Sequence, residues 1–476
     1  MRTSTGVTLS AALLSCVEAI NLVKRDNPSV VRLTTQRRHV PDPIARDRHR
    51  LRRRQSSNTV SQNLDNEETL YFANVSMGTP GQDLRLHIDT GSSDLWTNLA
   101  SSEICEAQGD QCGDSGTFDP SSSSSWNWLN NEFNISYVDG SGSSGSYGTD
   151  TLRIGGATLQ NLQFGLGNDS TSAEGILGIG YAINEVAVNR AGSQPYANVP
   201  ALMVQQGLTN SVSYSLWLND LDSNTGNILF GGVNSARFHG SLESVPIVAE
   251  QGAFAEFIIV LTAVGNGGTA ATLTSNQKVP VLLDSGSSLT YLPNDITQSI
   301  YNHYQADFDS SQGAAFVDCD LANSNDALVF TFSDPSISVD MSELVILAGY
   351  DFNQNPQCIL GIAPADDSTA VLGDTFLRSA YVVYDLHNNQ ISLAQTNFNA
   401  TGDEIQEISN STVPGATVVT NAVTDVPVGS GGARTGGIPS ITDGPKTAGV
   451  PAAYTSHTSA VIGVCLAAFV FGVFAL

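Results

Sequence analysis

Positive charge is nearly missing from most of this chain. Of its 20 Lys and Arg residues, 12 lie within residues 1–54, which hold only 4 of the 46 Asp and Glu. The first 54 residues therefore carry +8 and the remaining 422 carry −34. Phosphate binding needs a basic surface, so this deficit excludes nucleic acid as a general partner. Charged residues of either sign make up only 14%, against 41% hydrophobic, a balance that excludes wholesale disorder. Long helical periodicities are scarce, and residues 200–206 and 295–308 are the best helix candidates. The 7 His residues show no metal-binding spacing such as His-Glu-x-x-His, so neither a metal nor a cofactor is expected. Cysteine is sparse, at 6 in 476 residues.

Both ends of the chain carry sorting signals. Arg2, the apolar run Val7 to Val17 and the small-residue site Val17-Glu18-Ala19 predict a signal peptide over 1–19. Residues 20–54 are polar and Arg-rich and end in Arg52-Arg53-Arg54-Gln55, the pattern of a pro-segment cut by a kexin-type protease. Lys24-Arg25 is a second candidate cut. A basic head on an acidic body suggests a segment that shields the body until it is removed. At the other end, Ala460 to Leu476 is 17 uncharged residues with no basic residue after them. A spanning helix wants about 20 apolar residues and basic cytoplasmic flanks. Residues 451–476 read instead as a GPI-attachment signal, with a small acceptor near Ala448 or Gly449. Residues 399–450 are rich in Ser, Thr, Pro and Gly and read as an unpacked stalk. The expected destination is the outer face of the plasma membrane by lipid anchor, or the cell wall.

With Cys16 in the signal and Cys465 in the tail, four cysteines remain: Cys105, Cys112, Cys319 and Cys358. Four cysteines in a secreted body imply two disulfides, with three pairings open. N-glycosylation sequons stand at Asn74, Asn134, Asn168, Asn399 and Asn410.

The body, 66–398, is a series of short Val, Ile, Leu, Tyr and Phe runs broken by Gly, Ser, Asn and Asp, a mostly-β pattern. It contains an internal repeat. Leu86-His87-Ile88-Asp89-Thr90-Gly91-Ser92-Ser93 resembles Val281-Leu282-Leu283-Asp284-Ser285-Gly286-Ser287-Ser288. Gly175-Ile176-Leu177-Gly178 follows the first, and Ala370-Val371-Leu372-Gly373 the second. Asp89 to Gly178 and Asp284 to Gly373 are both 89 residues. Equal spacing of two paired motifs points to two related lobes, over 66–240 and 241–398.

In each Asp motif an apolar strand delivers the carboxyl to a tight turn, and the following hydroxyls hold it. One Asp-x-Gly turn is unremarkable, but two in mirror-related lobes place two carboxylates at one cleft. At about 3 Å apart and an effective dielectric of about 20, their repulsion is roughly 5 kcal/mol. The pair then shares one proton, so one member is a base while the other is an acid. Such a pair activates a water and protonates a leaving amide nitrogen.

These motifs, with Tyr71-Phe72, Gly78-Thr79-Pro80 and Leu372-Gly373-Asp374-Thr375-Phe376-Leu377-Arg378, resemble those of the pepsin-family aspartic endopeptidases over nearly all of 66–398. The anchor-type tail makes the chain most similar to fungal yapsins. The resemblance implies a bilobal fold with an interlobe cleft and a monomeric enzyme that cleaves protein or peptide substrates. It implies that Asp89 and Asp284 are catalytic, and that Ser92 and Ser287 support the carboxylates. It makes Tyr137 the tyrosine of a closing β-hairpin flap and Trp96 its packing and hydrogen-bonding partner. It also implies the neighbour pairing Cys105–Cys112 and Cys319–Cys358. Two positions depart from the family pattern. Ser285 stands where many members have Thr, which keeps the hydroxyl, and Val138 replaces a glycine common after the flap tyrosine.

Cleavage beside Lys or Arg is expected from the acidic body and the yapsin resemblance. Asp374 and Asp385 read as structural residues. Gly113-Asp114-Ser115-Gly116 faintly matches a serine-protease nucleophile loop, but without His and Asp partners it reads as a turn. The alternatives are an inactive aspartic-protease-like binding protein and a wall glycoprotein.

Overall fold

The computed structural model describes residues 29–38, 70–107, 111–137, 141–223, 225–351, 353–366, 368–409 and 412–428. The expected signal peptide, the junction at Arg54, the anchor signal and Asn410 lie outside these residues.

The protein is mostly β, and the repeat in its sequence is a repeat in its strand pairing. In the first half, Gln82–Asp89 runs parallel to Ile176–Gly178, with His87 opposite Ile176 and Ile88 opposite Leu177. In the second half, Val279–Leu283 runs parallel to Ala370–Leu372, with Val281 opposite Ala370 and Leu282 opposite Val371. The 89-residue spacing is thus the register of two equivalent parallel pairs. The equivalence extends outward. Leu95–Asn98 pairs antiparallel with Ile176–Gly178 and parallel with Ala157–Ser170. Thr290–Leu292 pairs antiparallel with Ala370–Leu372 and parallel with Ile362–Pro364. The glycines closing the second motifs permit this crossing. A Cβ on Gly178 would lie 2.7 Å from the Asp94 backbone, and one on Gly373 would lie 2.4 Å from the Ser287 carbonyl.

A 14-stranded sheet joins the halves. Its N-terminal-lobe strands continue through Val31–Arg38, Thr225–Phe230, Ser213–Trp217, Ala380–Asp385, Gln390–Thr396 and Phe238–Pro246 to Ala416–Val418 at the edge. Every residue of Ala380–Asp385 is buried, so both faces of this strand are covered. On one face Val382, Tyr384 and Leu393 join the main core. On the other, Trp217, Tyr381, Val383 and Ala394 pack with Val233, Leu242, Ile408 and Val413. The period-two alternation of side chains divides the two faces. The second lobe adds a five-stranded sheet and two four-stranded sheets.

Two of the expected boundaries change. The body does not end at 398. Ile405–Glu407 pairs with Gly232–Asn234, Ala416–Val418 runs parallel to Leu242–Ser244, and Val423 N donates to Ser333 Oγ at 2.9 Å. Residues 399–409 and 412–428 are thus a docked strap rather than an unpacked stalk, because the outward sheet face is apolar and needs cover. Nor is all of the basic 20–54 segment separate from the body. Val31–Arg38 is an inner strand between Thr225–Phe230 and Leu70–Met77, with Val31, Leu33 and Thr35 buried. Arg32 pairs with Asp403 of the strap at 2.8 Å.

The helix candidates also shift. Val199–Gln205 is helical. The second helix runs Asn294–Tyr304, burying Ile296, Ile300 and Tyr301, and stops before 308 because Gln305 takes a left-handed conformation (φ 54°). Phe308 then lies in the strand Asp307–Asp309. The disulfides are Cys105–Cys112 and Cys319–Cys358, one in each half. The sequon residues Asn74, Asn134, Asn168 and Asn399 are all exposed.

Candidate active site

Asp89 is the last residue of Gln82–Asp89, Asp284 directly follows Val279–Leu283, and both are buried. Their surroundings match atom for atom. Asp89 accepts from Gly91 N (2.8 Å) through Oδ1 and from Ser92 Oγ (2.6 Å) through Oδ2. Asp284 accepts from Gly286 N (2.8 Å) through Oδ1 and from Ser287 Oγ (2.8 Å) through Oδ2. Each carboxyl is held by its own turn through one amide and one hydroxyl, which leaves little rotational freedom.

The two turns are clasped together by the residues that follow each Asp. Thr90 Oγ1 donates to the Leu283 carbonyl (2.9 Å) and accepts from Ser285 N (3.0 Å). Ser285 Oγ donates to the Ile88 carbonyl (3.0 Å) and accepts from Thr90 N (3.3 Å). Serine serves here as well as threonine would, since only the hydroxyl takes part. Gly91 brings the loops into contact. A Cβ there would lie 2.7 Å from Asp284 Oδ1 and 2.9 Å from its Cγ, so any other residue would push the second carboxyl away. Among the sequence features this clasp was not foreseen. The signal was the hydroxyl at the same offset in both motifs.

Asn127–Ser136 and Gly142–Ile154 form a hairpin. Tyr137 follows its first strand and is buried. Its hydroxyl accepts from Trp96 Nε1 at 2.6 Å. Trp96 is fully buried against Phe133, with ring centroids 6.2 Å apart. Residues 138–140 at the hairpin tip, including Val138, lie outside the described residues.

Comparison with known proteins gives the lineage. The eukaryotic aspartyl protease family profile matches residues 70–396. The chain belongs to the eukaryotic aspartyl protease family. It is 54% identical over 446 residues to the probable aspartic-type endopeptidase opsB of Aspergillus oryzae, covering 92% of this chain and 91% of that protein. The protein of the same name from Aspergillus fumigatus is 53% identical, covering 88% and 87%. Aspartic proteinase yapsin-3 of Saccharomyces cerevisiae is 35% identical, covering 74% and 71%. This aspartyl protease is an aspartic-type endopeptidase and acts on protein or peptide substrates.

Other singled-out residues of the protease have structural surroundings. Asp385 accepts from Asn388 N (3.0 Å) and Nδ2 (2.8 Å), closing a turn. Asp374 is wholly buried and lies close enough to Tyr71 and Arg378 to act on both electrostatically. Arg378 donates to Glu343 at 2.7 Å in a buried ion pair. Gly113–Gly116 is a turn closed by Ser115 N and Gly116 N on the Cys112 carbonyl, with no trace of a nucleophile loop. No pattern in the sequence announces a role for Asp94. It lies between Ser92 and Trp96, and three groups distant in sequence donate to its carboxyl.

Proposed function

We propose that Asp89 and Asp284 are the catalytic pair and hydrolyse internal peptide bonds through an activated water. The mutual clasp of Thr90 and Ser285, which holds two equally supported carboxyls across one junction, carries this reading. With one proton between them, the ionised carboxylate takes a proton from water as its oxygen adds to the peptide carbonyl carbon. The carboxylic acid gives its proton to the carbonyl oxygen. When the tetrahedral adduct collapses, the C–N bond breaks and the amide nitrogen leaves with a proton. Tyr137, held by Trp96, belongs to the flap that closes over the bound peptide and excludes water. Cleavage measured from acidic to neutral pH on the full chain, with and without pepstatin, tests the reading. Pepstatin-sensitive cleavage supports it. Pepstatin-insensitive cleavage sinks the assignment of the pair, and no cleavage at all favours the inactive binding protein.

The protease is further proposed to be secreted, matured by a cut after Arg54, glycosylated at exposed sequons and held at the cell surface by a GPI anchor. The terminal sequence signals support this. Release from intact cells by a phosphatidylinositol-specific phospholipase is the expected result, and retention after that treatment counts against the anchor. Preference for Lys or Arg beside the cut is proposed from the charge of −34 beyond residue 54. Profiling on a peptide library that returns only bulky apolar residues rejects it.

A further inference from the structure

A second pair of carboxyls lies beneath the flap, outside the catalytic pair. Asp94 is buried, and its carboxyl is bonded from three separate segments. Tyr147 OH of the hairpin strand Gly142–Ile154 donates to Oδ1 at 2.9 Å. Tyr196 OH donates to the same oxygen at 2.8 Å, and Val186 N to Oδ2 at 2.9 Å. Glu185 stands next to it and is fully buried. Its Oε2 accepts from Tyr196 N at 2.8 Å, while Oε1 is buried with no hydrogen-bond partner among the described residues. Tyr147 meets Phe133 of the opposite hairpin strand edge-on, with centroids 5.3 Å apart, and Phe133 lies against Trp96. Asp94 therefore grips the hairpin at Tyr147, while Trp96, two residues on, grips it at Tyr137.

We infer that Asp94 is a positioning residue that fastens the flap to the catalytic loop, and that Glu185 is its neutral partner, whose ionisation releases that fastening. The inference rests on reading Asp89 and Asp284 as the catalytic pair and Tyr137 as part of the flap. Two adjacent buried carboxyls do not both hold charge, so the pair keeps one proton. Burial raises the Asp94 carboxyl too, but its three donors offset part of that rise and favour the charge there rather than on Glu185. One donor and an empty lone-pair side leave the proton on Glu185. The titratable groups facing the pair are Tyr147 and Tyr196, and each carboxyl faces the other. Burial, then the charge of Asp94, pushes the Glu185 carboxyl well above its ordinary 4.5. As pH rises through that raised value, a second charge enters the pocket, repels the Asp94 carboxylate and draws in water that competes for the phenol contacts to it.

The experiment is kcat and KM for an internally quenched peptide from about pH 3 to about pH 8, with melting temperature over the same range. Glu185→Gln, which cannot ionise, is expected to move the alkaline limit of kcat/KM upward by about one unit and leave the acid limb in place. Asp94→Asn and Tyr147→Phe are each expected to raise KM about tenfold, with a smaller change in kcat. An alkaline limit unmoved in Glu185→Gln, or an unchanged KM in Tyr147→Phe, overturns the inference. If Asp94→Asn does not fold, Tyr147→Phe and Tyr196→Phe remove the donors singly and decide it. Melting needs no catalysis. If no variant or parent cleaves peptide, the catalytic reading has failed, and flattening of the alkaline fall in melting temperature by Glu185→Gln still decides whether Glu185 is the titrating group.

Discussion

At the scale of the residue, the protease rests on a few short polar contacts. Replacing either Asp89 or Asp284 with Asn keeps the size and the hydrogen-bond frame but removes the shared proton chemistry. Each change is expected to lower kcat/KM by at least about 10³-fold with an unchanged circular dichroism spectrum, and residual activity near the parent level refutes the assignment. Trp96→Phe keeps the packing and removes the donor to Tyr137. A loss of about tenfold in kcat/KM is expected, with melting temperature nearly unchanged. Thr90→Val removes two bonds of the clasp and leaves the Leu283 carbonyl and Ser285 N unpaired in the interior. It is expected to cost about 2–4 kcal/mol in denaturant unfolding. Much of this was legible in the chain itself, because two Asp motifs with a hydroxyl at the same offset announce themselves. Asp94 was not. Its donors lie 53, 92 and 102 residues away, and no local pattern tells which distant phenol will reach a buried carboxylate.

At the scale of the element, the duplicated strands were readable because equal spacing is a pairing register. The strap and the first strand depart from the sequence expectation for opposite physical reasons. Residues 399–428 have the composition of an unpacked segment and no periodicity. Their order comes from the sheet face they cover, which is built by Trp217, Val383 and Ala394 elsewhere in the chain. The first strand did carry a signal, the alternation of buried Val31, Leu33 and Thr35 with more exposed Arg32 and Thr34, which its basic charge obscured. A chain ending at 398 is therefore expected to lose about 3–6 kcal/mol relative to one ending at 428, since Ile408 and Val413 leave the sheet and expose its aromatic face. Denaturant midpoints compare the two. Equal midpoints would mean the strap contributes nothing.

At the scale of the whole molecule, buried and surface carboxyls respond to acid in opposite senses. Glu185 has a folded value raised above its unfolded one. Its contribution is complete below about pH 4.5 and is lost as pH rises through the raised value. Asp403, bonded by Arg32 and Asn234, is held below its ordinary 3.8. Its contribution is complete above that value and fades as pH falls through the lowered one. Mild acid thus favours the flap anchorage, while stronger acid loosens the tie between first strand and strap. Proteolytic release of residues 29–38 is expected to speed up in Asp403→Asn relative to the parent at near-neutral pH, and an identical rate would remove the tie from the account. The docked strap also sets a leash length. With the proposed lipid near residue 450, only 22 residues separate it from the last docked residue, 428, rather than the 52 counted from 398. At about 3.5 Å per residue, the catalytic body stays within about 80 Å of the bilayer instead of about 180 Å. The proteins within its range are then its near neighbours on the same surface.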